Sequence, residues 1–343
     1  MTGPIRTGIV GFGLAGSVFH GPLIAADPAY RIDAIVTADP DRMSAAARKH
    51  PGARILPTPA ELWESAGRLD LVVIAAATPS HVALAEAAIE AGLNLVIDKP
   101  FAVTRADGER LIASAARAGV ALTVFQNRRW DGDFRTVRRL IGEGALGTVH
   151  RFESRFEWLN PRPRPAWKTE TAGRAGGGVA YDLGAHLVDQ ALTLFGPVKE
   201  VYGEFGARRQ GAVNDDDSFL ALRHVSGVTS HLWMSSLVAQ RGPRFRVLGS
   251  DSAFVTWGLD PQEGQLASGM SAADPRFGAG DAAAGRLGTD TESITVPVAR
   301  GGYREFYAGL AAALLRGGQL PVDPRDALEA IAIIESVHAR MTA

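Results

Sequence analysis

The sequence predicts an α/β chain: a doubly wound parallel sheet at the N-terminus, then an α+β domain built on a large open sheet, mixed or antiparallel. Three observations carry this reading. Short apolar runs alternate with helical patterns through the first third of the chain. One of these runs, Leu69–Ala75, is apolar but for Asp70 near its start, as a central parallel strand covered on both faces should be. After about residue 125, strand patterns follow one another without helices between them. A chain of 343 residues exceeds one ordinary core, so two domains are expected, 1–124 and 125–343.

In chain order, Ile5–Val10 is the first expected strand and leads into a glycine turn and a helix, which Pro22 should kink or shorten. Ile32–Val36 is the next strand, then a helix over Asp41–His50. After Leu69–Ala75 comes a helix over His81–Ala91 closed by Gly92, then a buried strand, Leu93–Ile97. Thr104 can cap the following helix, with Asp107 at the third position. Ala121–Val124 closes this alternation. In the second part a helix is expected over Asp131–Glu143, then the alternating stretch GTVHRFESRFEW, then a glycine-rich stretch, Gly173–Gly178, and a helix over Tyr181–Phe195. Further strands are expected at Glu200–Phe205, Phe219–His224, Val228–Met234, Phe245–Gly249 and Ala253–Trp257. Residues 258–300, rich in Gly, Ala and Asp, read as a long irregular insertion. Helices over Gly302–Arg316 and Pro324–Ala339 end the chain, the last expected to pack back on the first domain.

Composition narrows the function. With 36 basic and 37 acidic residues there is no basic excess to neutralise phosphates, which argues against a nucleic-acid surface. No cysteine occurs, so disulfides and thiolate metal sites are excluded. The N-terminus lacks the pattern of a signal peptide, and no stretch approaches the ~20 apolar residues of a membrane span, so a soluble, cytoplasmic protein is expected.

Gly11-Phe12-Gly13-Leu14-Ala15-Gly16 fits G-x-G-x-x-G between a strand and a helix. In that context glycines allow a tight turn and bring backbone N–H groups to a pyrophosphate at a helix N-terminus. The plainer reading is a turn that packs a helix on a sheet. The end of the second strand bears on the choice of nicotinamide cofactor. Thr37 stands at the tip, Asp39 lies beyond it and Arg42 is near. A hydroxyl plus a cation suits a 2′-phosphate and favours NADP, whereas Asp39 on a ribose hydroxyl would suit NAD. Thr37 as a plain strand terminator and Arg42 as a solvated helix residue is the other reading.

Ligands bind beyond the carboxyl ends of parallel strands. In LNLVIDKPF, Lys99 follows Asp98 at such an end, where an ammonium could hold a substrate oxygen or simply snorkel to solvent. In the other domain, Asp182 and His186 are four residues apart and share one helix face. The carboxylate could orient the imidazole or join it on a substrate hydroxyl, or the pair could be structural. A metal site would need further ligands at motif spacing, and none is present. Asp215-Asp216-Asp217 lacks the EF-hand pattern and reads as a solvated loop. His20, His50, His150, His224, His231 and His338 have no evident partner in the sequence.

Together the glycine turn GFGLAGSVFHGPL, the strand-end acid-Lys-Pro, NRRWDGDF at Asn127–Phe134, YDLGAHLVDQ and WGLDPQE at Trp257–Glu263 resemble the Gfo/Idh/MocA family of oxidoreductases over nearly the whole chain. Within it, the chain resembles bacterial NADP-dependent scyllo-inositol dehydrogenases and related uncharacterised members. The resemblance implies a Rossmann domain and catalysis by Lys99, Asp182 and His186, with His186 as proton acceptor and the lysine holding the oxygen. It implies cofactor contacts at the glycine turn, Thr37, Arg42, Ala76, Thr78, His81, Asp98, Lys99 and Asn127. Substrate contacts would come from Lys99, Arg129, Asp182, His186 and Trp167, the last in the loop NPRPRPAWK. Two departures stand out: Asp98 replaces the family's usual Glu, and Thr78 stands where many members carry Asn.

The expected function is hydride transfer between NADP, or NAD, and a cyclic polyol or sugar. The alternatives are a sensor that keeps the fold without turnover and a redox-neutral NAD-dependent glycosidase. An uncovered sheet face leads to an expected homodimer or homotetramer.

Overall fold

The computed structural model describes residues 3–160, 170–280 and 284–341. The chain forms two compact units. One comprises Met1–Asn127, Gln262–Phe277 and Gly302–Leu328; the other comprises Arg128–Pro261, Gly278–Gly301 and Glu329–Ala343.

The first unit is built on a six-stranded sheet in the order β3-β2-β1-β4-β5-β6. Its strands are β1 Ile5–Val10, β2 Tyr30–Val36, β3 Arg54–Leu56, β4 Leu71–Ile74, β5 Asn94–Asp98 and β6 Leu122–Phe125. Every neighbouring pair is parallel. All four residues of β4 are fully buried, each contributing about 1.5–3 kcal/mol of burial. The short β3 is too brief and too half-exposed to announce itself in the sequence. Strand order reverses between β1 and β4, which opens a crevice at their carboxyl ends.

The helices follow from local chemistry. Thr104 caps Arg105–Ala118 by accepting from the Asp107 N–H at 3.1 Å, and its hydroxyl donates to the Asp107 carboxylate at 2.7 Å. Gly119, at φ +68°, ends that helix in the left-handed conformation. The helix after the glycine turn is interrupted, as Pro22 foretells. Ala15–His20 is a π-helical turn, and Gly21–Ala25 is a short α-helix with Pro22 in its first turn, where a missing N–H costs little.

The second unit holds an eight-stranded mixed sheet, ordered β14-β13-β12-β11-β7-β10-β9-β8. The strands are β7 Val149–Glu157, β8 Val198–Gly206, β9 Asp217–His224, β10 Thr229–Ser235, β11 Phe245–Gly249, β12 Ala253–Thr256, β13 Ala284–Gly288 and β14 Ser293–Pro297. Only β7 and β10 pair in parallel. The insertion expected to be irregular contains the helix Gln262–Ala267 and the last two strands. Its strand signal is hidden because Gly285 of β13 lies under the Phe254 ring, where composition suggests a loop. The helix Pro324–Met341 runs through the division between the units at Leu328.

Gly16 has no room for a side chain, since a Cβ would press into the Gly11 carbonyl, while Gly67 has nothing within 4 Å. Gly16→Ala is expected to lower stability by about 1–3 kcal/mol and Gly67→Ala to leave it nearly unchanged. Chemical denaturation of both variants checks this, and equal midpoints would contradict it.

Candidate active site

Each unit carries one group of the residues singled out in the sequence. In the first, β1 runs into Gly11 at φ +98°, where a Cβ would lie 2.6 Å from the Ala75 carbonyl oxygen. The turn can exist only with glycine there, because the backbone leans on the end of β4. Gly13 differs: a Cβ would meet nothing nearer than the Arg42 guanidinium at 3.7 Å. The first and third glycines are therefore consumed by packing, and the second leaves open backbone, the division of labour a pyrophosphate cradle requires. Phe12 is buried edge-on to His50, and Leu14 is exposed.

At the end of β2, buried Thr37 donates its N–H to the Leu56 carbonyl at 2.9 Å. Asp39 is the N-cap of the helix Pro40–Lys49 and accepts from the Arg42 N–H at 2.9 Å. One carboxylate oxygen is thus committed to the helix, while the Arg42 guanidinium is exposed beside Gly13. An exposed cation in that place can meet a phosphate oxygen.

Ala76 and Thr78 follow β4, Asp98 ends β5 and Lys99 follows it, on the same edge as the glycine turn. His81 is buried with Nδ1 at 2.9 Å from the Pro100 carbonyl and Nε2 at 2.9 Å from the Ala76 carbonyl. Its ring lies between the turn after β4 and the turn after β5, and in the neutral form its single N–H donates to one of the two carbonyls. Burial pushes the His81 imidazole below its ordinary value, with Asp98 opposing. Asn127 is buried just beyond β6.

In the second unit, Asp182 lies in a π-helical turn, Ala180–Gly184, and His186 in the α-helix Ala185–Phe195 that continues it. The single helix expected over Tyr181–Phe195 is thus widened where Asp182 sits. Asp215 holds the start of this segment: its carboxylate accepts from the Ala180 N–H at 2.7 Å and the Ser218 hydroxyl at 2.8 Å. Asp216 accepts from the N–H groups of Arg208 and Arg209 at 2.8 and 3.1 Å. Both aspartates are about 5% exposed, which overturns the solvated-loop reading of the triple-Asp run. A Cβ at Gly178, at φ +89°, would strike the Asp215 carboxylate, so the glycine-rich stretch is fixed by this contact.

His186 is buried, with its ring edge-on to Phe156 at 6.3 Å between centroids. Phe156 also carries the Arg244 guanidinium 4.0 Å over its ring. Arg244 donates to the Ser154 hydroxyl at 2.6 Å and to Gln190 Oε1 at 3.0 Å, one turn beyond His186. Burial pushes the nearby Asp131 and Asp133 carboxyls up, against the pull of Arg128 and Arg244. Arg129, expected to bind substrate, forms a two-pronged ion pair with Asp189 at 2.8 and 2.6 Å. Trp167 lies outside the described residues. His338 has neighbours after all: it stacks on Tyr181 at 5.4 Å and 9°, and touches Phe205. His224 likewise bonds the Gly196 carbonyl and the Ser230 hydroxyl. Among the described residues, no group of three or more His, Cys, Asp or Glu could hold a metal ion, and no helix is long and apolar enough to cross a membrane.

Residues 5–126 match the family model of an oxidoreductase family with an NAD-binding Rossmann fold, GFO/IDH/MocA, and residues 134–255 match the model of its C-terminal domain. The scyllo-inositol 2-dehydrogenase (NADP(+)) of Bacillus subtilis is 35% identical, over 97% of this chain and 92% of that protein. The myo-inositol 2-dehydrogenase of Thermotoga maritima is 28% identical over 65% of this chain and 66% of that protein. Among solved structures, the oxidoreductase yvaA of Bacillus subtilis superposes with a TM-score of 0.92 at 32% identity, covering 100% of this chain and 97% of that one.

Burial pushes the His338 imidazole down to about 4. Because the folded value is depressed, its contribution to stability is full above the unfolded value of 6.5 and is lost as pH falls from there toward 4. The thermal midpoint of the wild type should therefore fall more steeply across that window than that of His338→Phe. Parallel curves for the two proteins would refute this.

Proposed function

The chain belongs to the GFO/IDH/MocA family of NAD-binding oxidoreductases, and we propose that it moves a hydride between NADP and a CH–OH centre of a cyclic polyol or sugar. The observation that carries the reading is the place of Lys99, at the carboxyl end of β5 on the edge where Gly13 offers open backbone and Arg42 a free-standing cation. The relative named for scyllo-inositol and NADP(+) supports the substrate class and the cofactor.

When bound, the nicotinamide supplies the hydride acceptor in oxidation and the donor in reduction. The residues do the rest. Lys99 and Asp182 hold the carbinol oxygen, and the lysine charge steadies the alkoxide as it develops. His186 takes the hydroxyl proton as the carbon–hydrogen bond gives up its electron pair, and it returns the proton in ketone reduction. Arg42 and Thr37 bind the 2′-phosphate. Arg129, held by Asp189, supports the fold around the site. A cytoplasmic homodimer or homotetramer fits the exposed Tyr202, Trp257 and Ile294 in the part of the chain that builds the eight-stranded sheet.

With scyllo-inositol and NADP as the assay pair, Lys99→Met is expected to lose turnover while NADPH binding, read by fluorescence, is kept. Undiminished turnover would reject the role of the lysine. Arg42→Ala should weaken NADPH binding roughly tenfold or more and NADH binding little. Equal losses for the two cofactors would point to Asp39 and NAD.

A further inference from the structure

His20 is a fully buried imidazole that the proposed reaction leaves without a task. It ends the π-helical turn Ala15–His20, an irregularity that recurs at functional sites. Its Nδ1 lies 2.6 Å from the Tyr307 hydroxyl, and its ring packs 4.4 Å from the Phe125 ring, which limits its rotation. Its Nε2 faces the Asp98 carboxylate at 3.8 Å and makes no hydrogen bond within the described residues.

The partners fix the tautomer. Tyr307 is buried, and the Tyr30 hydroxyl donates to its backbone carbonyl at 2.7 Å. The ionised Asp98 carboxylate can only accept, so the neutral ring carries its proton on Nε2, facing Asp98, and the Tyr307 hydroxyl donating to Nδ1 holds that tautomer. The groups facing Asp98 are His20, Lys99 and His81, with Tyr307 behind His20. Burial raises the Asp98 carboxyl, but His20, Lys99 and His81 outweigh it and leave the group ionised, below its usual range. At 3.8 Å the contact is electrostatic and too long for a hydrogen bond, and such contacts tighten when a substrate complex forms.

We propose that His20, its tautomer set by Tyr307, is a positioning residue that holds the Asp98 carboxylate and thereby fixes Lys99 at the end of β5. On the other side of the same turn, His81 Nδ1 lies 2.9 Å from the Pro100 carbonyl, so an imidazole stands against each residue flanking Lys99. Asp98 is the last residue of β5 and Lys99 leaves the strand directly after it, so anchoring Asp98 fixes the point from which the lysine departs. The inference rests on the reading that Lys99 holds the substrate oxygen.

Glutamine places an amide N–H where His20 has Nε2, and asparagine places its amide where His20 has Nδ1. His20→Gln should therefore keep kcat for scyllo-inositol oxidation near the wild-type value. His20→Asn should lower kcat roughly tenfold or more, with KM for NADP unchanged in both. A role confined to supporting Tyr307 would give the reverse order, and equal effects of the two variants would also overturn the proposal. A second readout needs no turnover. The chain has four lysines, so ε-13C-lysine labelling gives few signals, and Lys99→Met assigns the one that matters. That signal should move in His20→Asn and stay in His20→Gln. If it does so in a protein that oxidises no polyol, the proposed function fails and the positioning role stands. If turnover depends on Lys99 but neither signal nor rate separates the two His20 variants, the positioning role alone fails.

Discussion

The close approach of Gly11 to the end of β4 is the constraint on which the working edge of the first unit depends. Its backbone lies against the Ala75 carbonyl in a left-handed conformation, and only a residue without a Cβ can do both. That approach closes the crevice floor where strand order reverses, and it leaves Gly13 as the open backbone above it. Gly16 must then press on the Gly11 carbonyl, and the helix that leaves the turn widens into a π-helical turn before Pro22. His20 ends that turn and faces Asp98 at 3.8 Å.

The second unit obeys a different rule, that buried polar groups must be paired. Asp215 and Asp216 are spent on backbone N–H groups, Arg129 on Asp189, and Arg244 on Ser154 and Gln190. Removing one member of such a buried ion pair leaves its partner uncompensated, at a cost of about 3–5 kcal/mol. These pairs brace the frame that carries Asp182 and His186, including the π-helical turn in which Asp182 sits.

Much of this was legible in the sequence because it is local. The glycine turn, the fully apolar β4 and the Thr104–Asp107 cap are patterns within a few residues, and the structure holds each of them, whereas the single helix expected to carry Asp182 and His186 is widened at Asp182. What stayed hidden is long-range. His20 meets Tyr307 across 287 positions, and Asp215 reaches Ala180 across 35, so nothing in either neighbourhood announces the partner. The triple-Asp run misled because a charge run is usually solvated, whereas here two members turn inward to cap backbone. β13 misled because Gly285 is small for an aromatic neighbour, and composition alone reads it as loop. Arg129 stands beside the end of β6 as a substrate residue would, and its partner Asp189 is visible only in three dimensions.

The proposed function stands on direct hydride transfer from a polyol carbon to NADP. Incubating the protein with NADP and scyllo-inositol deuterated at its ring carbons, then reading the reduced cofactor by mass spectrometry, tests that transfer. One deuterium is expected in NADPH, carried on one face of nicotinamide C4, and it should disappear in His186→Ala. Inosose formed without deuterium in the cofactor, or no label transferred from any cyclic polyol or sugar tested, would contradict it.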